Sequence, residues 1–169
     1  MNFELAEQEI VNRLNAQILA NNVSNLYEAV VIPETEQEFK AFHANFTKGR
    51  IAVEFIDLIP LPSNSVGKVA QEKTVRFRLS FESRKLKGPG GLYALYQIAE
   101  ICLVGFKLTN AIDRLTLTKY GMLEFAQGGI QPYYEFECKA VHVQTFTDFS
   151  DDVPFGTEPI KVTFPPEIL

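Results

Sequence analysis

The chain has 169 residues, a net charge of −5 and two cysteines. This length suits one domain with a sizeable core, and the mild acidic charge gives no reason to expect nucleic-acid binding, which favours a basic domain. No apolar run is long enough to span a bilayer and the first residues are acidic, so we expect neither a membrane segment nor a signal peptide.

Hydrophobic periodicity and turn residues predict eight elements. In chain order they are a helix over 2–20, a strand over 26–32, a short helix over 34–45, strands over 50–59 and 73–82, a helix over 90–108, and strands over 113–125 and 133–146. This order predicts an α+β domain over residues 1–147, with a mixed, largely antiparallel sheet of about four to five strands and two main helices on one face. Residues 148–169, acidic and rich in proline, are expected to form an extended C-terminal arm.

The helix over 90–108 is the organising element of this prediction. Most of its apolar residues share one face, but Ile98, Ile101 and Val104 make a second side apolar as well. A helix that is apolar nearly all round is covered on both sides. One side is expected to lie on the sheet, and the other calls for a second layer from this chain or from another copy.

Turn residues fill the stretch over 59–72, which predicts a long mobile loop, and a loop of this length is more often functional or disordered than a mere connection. The following strand alternates apolar residues with Arg76 and Arg78, and the positive charge continues through Arg84 and Lys85 before the Gly-Pro-Gly-Gly turn. This basic set is either a solvated strand face or a docking face for an acidic partner.

The last predicted strand has an irregular pattern. Its inward residues begin at Tyr134 and then change parity at Val141, which predicts either a bulge or a strand whose two halves face different surroundings. The arm beyond it alternates Ile160, Val162 and Phe164 with polar residues, as in a late edge strand or an extended arm that lies on a neighbour or on its own domain.

No pattern of catalytic residues is apparent. Cys102 and Cys138 lie in apolar runs and are expected to be buried free thiols. His43 and His142 have no partner at ligand spacing, and the acids from Asp148 onward lack the spacing of a calcium loop. We therefore expect neither an enzyme nor a cofactor or metal.

The order of elements nevertheless resembles a known family. The carrying stretches are IVNRL, RIAVEFIDL, a long polar loop, TVRFRLSFESRKL, the GPGG-led LYALYQIAEICLVGFKL and YYEFECKAVHVQTF. Together they resemble the phage Mu-type tail proteins related to the lambda-type tail terminator, over about residues 4–146. The arm is outside this resemblance.

The resemblance implies a homohexameric ring that caps the head-proximal end of a phage or contractile tail tube, stops its polymerisation and joins it to the neck. Its partners would be the tail tube, the surrounding sheath and the neck or head-connector proteins, and it would assemble in the bacterial cytoplasm. The implied subunit or tube contacts lie on the 59–72 loop and the basic strand. They are Pro62, Asn64, Val66, Lys68, Arg76, Arg78, Arg84 and Lys85.

Two other functions compete with this one. A neck or head-completion protein of the same particle would share the architecture and differ in what it touches. A small-molecule-binding or thioesterase-like domain would instead need a polar residue converging at the centre of the long helix, where Gln97 and Glu100 are the candidates.

Overall fold

The computed structural model of the chain describes residues 1–33, 35–44, 47–62, 70–124 and 130–143. The elements are α1 (Phe3–Ala20), β1 (Tyr27–Val31), α2 (Glu36–Ala44), β2 (Gly49–Pro60), β3 (Ala70–Glu82), α3 (Leu92–Leu103), β4 (Thr116–Glu124) and β5 (Ile130–Val143). The strands form one sheet in the order β1-β2-β3-β5-β4. Because β1 is parallel to β2 and the other pairs are antiparallel, the predicted mixed α+β architecture is confirmed.

The core lies between one face of this sheet and the two longer helices. In β3 the side chains of Val75, Phe77, Leu79 and Phe81 are all buried, as strict alternation predicts. They meet the apolar sides of α1 and α3, whose fully or nearly buried residues are Ala6, Ile10, Val11, Leu14 and Ile18 in α1 and Leu95, Ala99, Cys102 and Leu103 in α3. Burying one such large side chain contributes about 1.5–3 kcal/mol, so this layer provides most of the folding energy.

Local sequence signals explain where the helices begin. The Asn2 side chain caps α1 by accepting a hydrogen bond from the backbone N–H of Leu5 at 3.3 Å. At α2, the Thr35 hydroxyl accepts from the N–H of Glu38 at 3.3 Å and donates to the Glu38 carboxylate at 2.6 Å, which confirms the cap that a threonine three residues before a glutamate predicts from the sequence. Unlike the two longer helices, α2 does not lie on the core face. It joins two parallel strands and lies against Arg50, on the opposite face.

Helix α3 is shorter than predicted. It ends at Leu103 rather than at residue 108, and Gly105 follows with a φ of 81°. A left-handed glycine just after the last turn is a common helix stop, and the chain then turns so that the N–H of Gly105 reaches the carbonyl of Leu115 at 2.9 Å.

The predicted 59–72 loop was too long. The β2–β3 ladder runs to Pro60, opposite Lys73, and the N–H of Leu61 still donates to the carbonyl of Glu72 at 2.9 Å. The loop was predicted too long because the facing ends of β2 and β3 are polar and contain proline, as loops usually do. The remaining centre of that stretch, residues 63–69, lies outside the described residues, as does the 148–169 arm.

The bulges also differ from the prediction. Strand β5 pairs with β3 in unbroken register from Tyr133 to Val143, so the expected bulge near Val141 is wrong. Register shifts occur instead in β2, between Phe55 and Asp57, and in β4, between Leu117 and Lys119. The second shift turns Lys119 to the face opposite Leu117, whereas simple alternation along the strand would place both on one side.

The two edges of the sheet differ in what occupies their outward backbone groups. At the β1 edge, the Asn15 side chain of α1 accepts from the N–H of Ala29 at 2.9 Å and donates to its carbonyl at 2.8 Å. One side-chain amide therefore occupies both outward backbone groups of Ala29, as a neighbouring strand would. In the described part of the chain, the outer edge of β4 has no strand beside it.

We predict that Asn15→Ala lowers the free energy of unfolding by about 1–3 kcal/mol, because it leaves a buried N–H and carbonyl without partners. Asn12→Ala is the matched control, since Asn12 lies on the same helix, is exposed and bonds to the exposed Gln8 side chain. The control should stay within about 0.5 kcal/mol of the wild type in urea denaturation. Equal losses in the two variants would contradict this role for Asn15.

Candidate interaction surfaces

The face of the sheet opposite α1 and α3 carries charged side chains in rows that cross the strands. We call these the charge rows. In the row beside α2, the Arg50 Nε donates to the Glu28 carboxylate at 2.9 Å, and its Nη1 lies 3.6 Å from Glu82. The Nη1 also donates to the carbonyl of Phe42 at 2.8 Å. The Gln131 amide donates to Glu82 at 3.1 Å, so hydrogen bonds and the Arg50–Glu82 ion pair link this row across four strands.

The middle row alternates in sign across four strands. Arg78 lies between Glu54, at 3.4 Å, and Glu135, at 3.0 Å, while Lys119 approaches Glu135 at 3.8 Å. The Tyr133 ring lies under both cations, with the guanidinium carbon of Arg78 4.9 Å from its centroid. Burial raises the pKa of Glu54, and the neighbouring Arg78 opposes that rise.

The third row is centred on Arg76. Its guanidinium donates twice to the Asp57 carboxylate, with Nε to Oδ1 at 2.6 Å. This hydrogen bonding holds the pKa of Asp57 below its usual value and raises that of Arg76. Glu137, opposite Arg76 on β5, adds a second negative charge beside it.

These rows correct the expectation of a basic face. In them the acids outnumber the bases, and both arginines of β3 have carboxylate partners within the chain. Such partners are harder to foresee from the sequence because they lie on two other strands, β2 and β5. The assignment of Arg76 and Arg78 to a subunit or tube contact stays a prediction, and charge reversal there would also break contacts inside the fold.

The other predicted contact residues are spread over the molecule. Arg84 and Lys85 lie exposed in the turn before α3, and Pro62 is exposed just beyond the end of β2. Asn64, Val66 and Lys68 lie outside the described residues. The structure therefore does not bring the described members of the predicted set together into one patch.

An aromatic groove lies between α3 and β4, which we call the β4 groove. The rings of Tyr96 and Tyr134 stack with centroids 5.2 Å apart, and Phe81 packs edge-on against both. The Tyr134 hydroxyl donates to the Glu100 carboxylate at 2.9 Å, and burial together with this contact raises the pKa of Tyr134. The groove is completed by Leu117, Tyr120, Gly121, Met122, Pro132 and Tyr133.

The β4 groove exists because the helices do not extend across the whole sheet. Helices α1 and α3 pack over β1, β2 and β3, leaving β4 at the uncovered end. Tyr120 is 79% exposed and Met122 is 64% exposed, although both project from the strand towards the groove. Large apolar side chains on an open strand edge are unusual unless something covers them. The sequence reading did not single out this edge.

The second apolar side of α3 is only partly covered. Ile98 packs against the core, whereas Ile101 is 71% exposed and Val104 is 54% exposed. A shallow groove lined by Ala94, Ile98 and Ile101 separates this side from the end of α1. No described element of this chain supplies the second layer that the sequence demanded for Ile101 and Val104.

The side chains that could take part in catalysis or ligand binding are dispersed over the molecule. Cys102 and Cys138 are buried free thiols, as predicted, and burial raises the pKa of Cys138 to about 11. Gln97 and Glu100 line two different grooves, so they do not converge as a small-molecule site would require. Among the described residues, no group of three or more acids, cysteines or histidines is placed to hold a metal ion. The side chains of His43 and His142 are outside that description.

The sequence comparison adds a family to this geometry. The model of the Gp37 protein family, a family of phage proteins, matches residues 10–157. The chain belongs to the Gp37 family. The match begins inside α1 and covers every later element, including the charge rows and the β4 groove. None of the curated proteins matches the chain significantly. In the described part of this phage-related chain, no helix is long and apolar enough to cross a membrane.

We predict that Arg78→Met lowers the free energy of unfolding at neutral pH by about 2 kcal/mol, since it leaves Glu54 and the buried Glu135 facing each other. Lys85→Met is the control, because Lys85 is exposed, and it should change stability by less than about 0.5 kcal/mol.

The loss at Arg78 should depend on pH. Without the guanidinium, the pKa of Glu54 in the folded state rises further above its unfolded value, so protonation relieves the cost. The difference from wild type should therefore shrink as the pH falls from neutral towards 4.5, the ordinary glutamate value. Urea denaturation at several pH values measures this, and a difference that grows on acidification would contradict the arrangement.

Proposed function

We propose that this chain is a structural tail terminator of a phage or a phage-tail-like contractile particle. In this proposal it forms a homohexameric ring on the head-proximal end of the tail tube. The ring stops polymerisation of the tube and joins it to the neck. Membership of a phage protein family supports the particle, and the order of elements resembling the terminator family supports the position.

The observation that carries the proposal is the apolar surface that no described element covers on the helical side of the sheet. Ile101 and Val104 of α3 are exposed apolar residues beside a groove, and the β4 edge is exposed at the other end of the same face. A surface of this kind on one chain marks a contact with another protein. In a structural protein, the simplest contact is with further copies and with the particle around them.

The unlike edges of the sheet favour a ring over a two-fold dimer. The β1 edge is occupied by Asn15, whereas the β4 edge is open among the described residues. A contact that joins one surface of a subunit to a different surface of the next is heterologous, and repeated heterologous contacts close into rings. In such a ring, the open β4 edge of one subunit would bind a different surface of the next subunit.

The charge rows suit a scaffold rather than an active site. Their carboxylates and guanidinium groups are engaged with one another, which fixes the strands in register instead of leaving a group poised for proton transfer. We therefore propose a non-enzymatic role, with the tail tube, the sheath and the neck or head connector as partners. The place of action is the tail of the particle, after assembly in the host cytoplasm.

We predict that the purified chain forms hexamers at high concentration, seen by light scattering and as six-fold rings in negative-stain images. Added tail tubes should acquire a cap at one end. Ile101→Glu should abolish ring formation and leave the melting temperature within a few degrees, because the side chain is 71% exposed. Ile101→Leu is the matched control and should assemble normally.

Rings that form equally well with Ile101→Glu would show that α3 is not in the contact. Rings that bind no tube end would exclude the terminator role and favour the neck protein. Chains that remain single, both alone and with tubes, would remove the ring altogether.

A further inference from the structure

The outer edge of β4 has the features of a strand acceptor. The strand is nine residues long and among the described residues it is paired only with β5. Its Tyr120 and Met122 side chains stand beside the β4 groove. An edge with free backbone donors and acceptors and an apolar flank is suited to pairing with one more strand.

The sheet of another copy is poorly placed to fill this position through its β1 edge. There, the Asn15 side chain already holds the outward N–H and carbonyl of Ala29 at 2.9 and 2.8 Å. Pairing a β1 edge with a β4 edge would first have to displace that amide. Two β4 edges could pair about a two-fold axis, but that contact would close a dimer and not the proposed ring, which needs two different surfaces. In a ring, the strand that fits β4 would therefore come from outside the described sheet.

The C-terminal sequence offers a suitable strand. Residues 159–165 read Pro-Ile-Lys-Val-Thr-Phe-Pro, so Ile160, Val162 and Phe164 alternate with polar residues between two prolines. Alternation and the β-branched and aromatic residues are typical of a strand with one apolar face. Proline at each end limits such a strand to a short length on an edge.

We propose that the outer edge of β4 binds residues 159–165 of a neighbouring copy as a sixth strand. The side chains of Ile160, Val162 and Phe164 would enter the β4 groove, over Tyr96 and Tyr134. This inference rests on the proposed ring, since it identifies the surface that each copy offers to the next. It extends that proposal by naming both halves of the contact.

The length of the connecting segment permits this exchange. Strand β5, the neighbour of β4, ends at Val143, and 144–158 then precede the proposed strand. Fifteen extended residues span up to about 50 Å, which is enough to reach an adjacent subunit of this size. Four of the five acids beyond Val143 lie in this connection, and they are Asp148, Asp151, Asp152 and Glu158.

Exchange between copies, rather than return to the same chain, follows from the requirement for a heterologous contact. If each chain covered its own β4, both edges of its sheet would be closed. If each chain donates its arm, every copy in a closed ring gives one strand and receives one, and no edge is left open. The return to the same chain is the alternative that the experiment must separate.

The test compares full-length variants by hydrogen exchange and light scattering. Val162→Pro removes a backbone N–H in the middle of the proposed strand, and Asp151→Pro is the matched control in the connection. In assembled wild type and in Asp151→Pro, we expect the amides of residues 116–124 to exchange about tenfold more slowly than in Val162→Pro. Assembly should be weakened only in Val162→Pro.

A mixing experiment identifies the chain that donates the strand. A chain ending at residue 147 keeps every described element, so it should fold, accept an arm and donate none. Added to the full-length chain, it should enter the assemblies and stop them from closing. A synthetic peptide of residues 157–167 should slow exchange in β4 of the shortened chain, and the same peptide with Val162→Pro should not.

The outcomes separate this inference from the proposed function. Normal rings of Val162→Pro with unchanged β4 exchange would overturn the strand exchange and leave the terminator role standing. A monomeric wild type whose β4 is protected would show that the arm folds onto its own chain. A wild type that stays monomeric both alone and with tubes, together with a peptide that gives no protection, would remove both ideas.

Discussion

The structure depends on β3 satisfying two chemically different neighbours at once. One face of this strand places Phe77 and Leu79 in the core, while the alternate side chains, Arg76 and Arg78, must find negative charge on the strands at either side. Both adjacent strands provide it at the matching register. A slip of one residue would place arginines against α1 and α3 and apolar rings in water, so the charge rows and the core specify the same pairing.

The sequence predicted the parts of the fold that depend on local pattern. The alternation in β3, the cap at Thr35 and the covered side of α3 follow from residue spacing within one element. It failed where the outcome depends on partners distant in the chain. The β2–β3 ladder continues through polar residues because each strand supports the other, and the bulge at Phe55 is accommodated by the Glu7 carboxylate, which accepts its N–H at 2.5 Å.

The candidate surfaces show the same limit. The sequence identified a second apolar side of α3, and Ile101 and Val104 are indeed left exposed. It could not identify the β4 groove, because Tyr96, Tyr120 and Tyr134 come from three separate elements and only the sheet order places them together. The sequence also predicted a basic face from the arginines of β3 alone, without the carboxylates that face them on the neighbouring strands. Periodicity reports which side of an element is apolar, whereas the strand order decides what that side meets.

The long β2–β3 ladder has a mechanical consequence. Beyond Phe3, whose ring stacks on Phe55 at 4.4 Å, the ladder continues to Pro60 and carries the half-exposed side chains of Leu58 and Ile59. The sheet is three strands wide here, because β5 pairs with β3 beside this part of the ladder. Strands without a helix on them twist more readily than a sheet backed by helices, so we expect the far end of the ladder to change its angle more readily than the body of the domain. In the proposed ring, such compliance would let identical subunits meet a surface whose symmetry differs from their own.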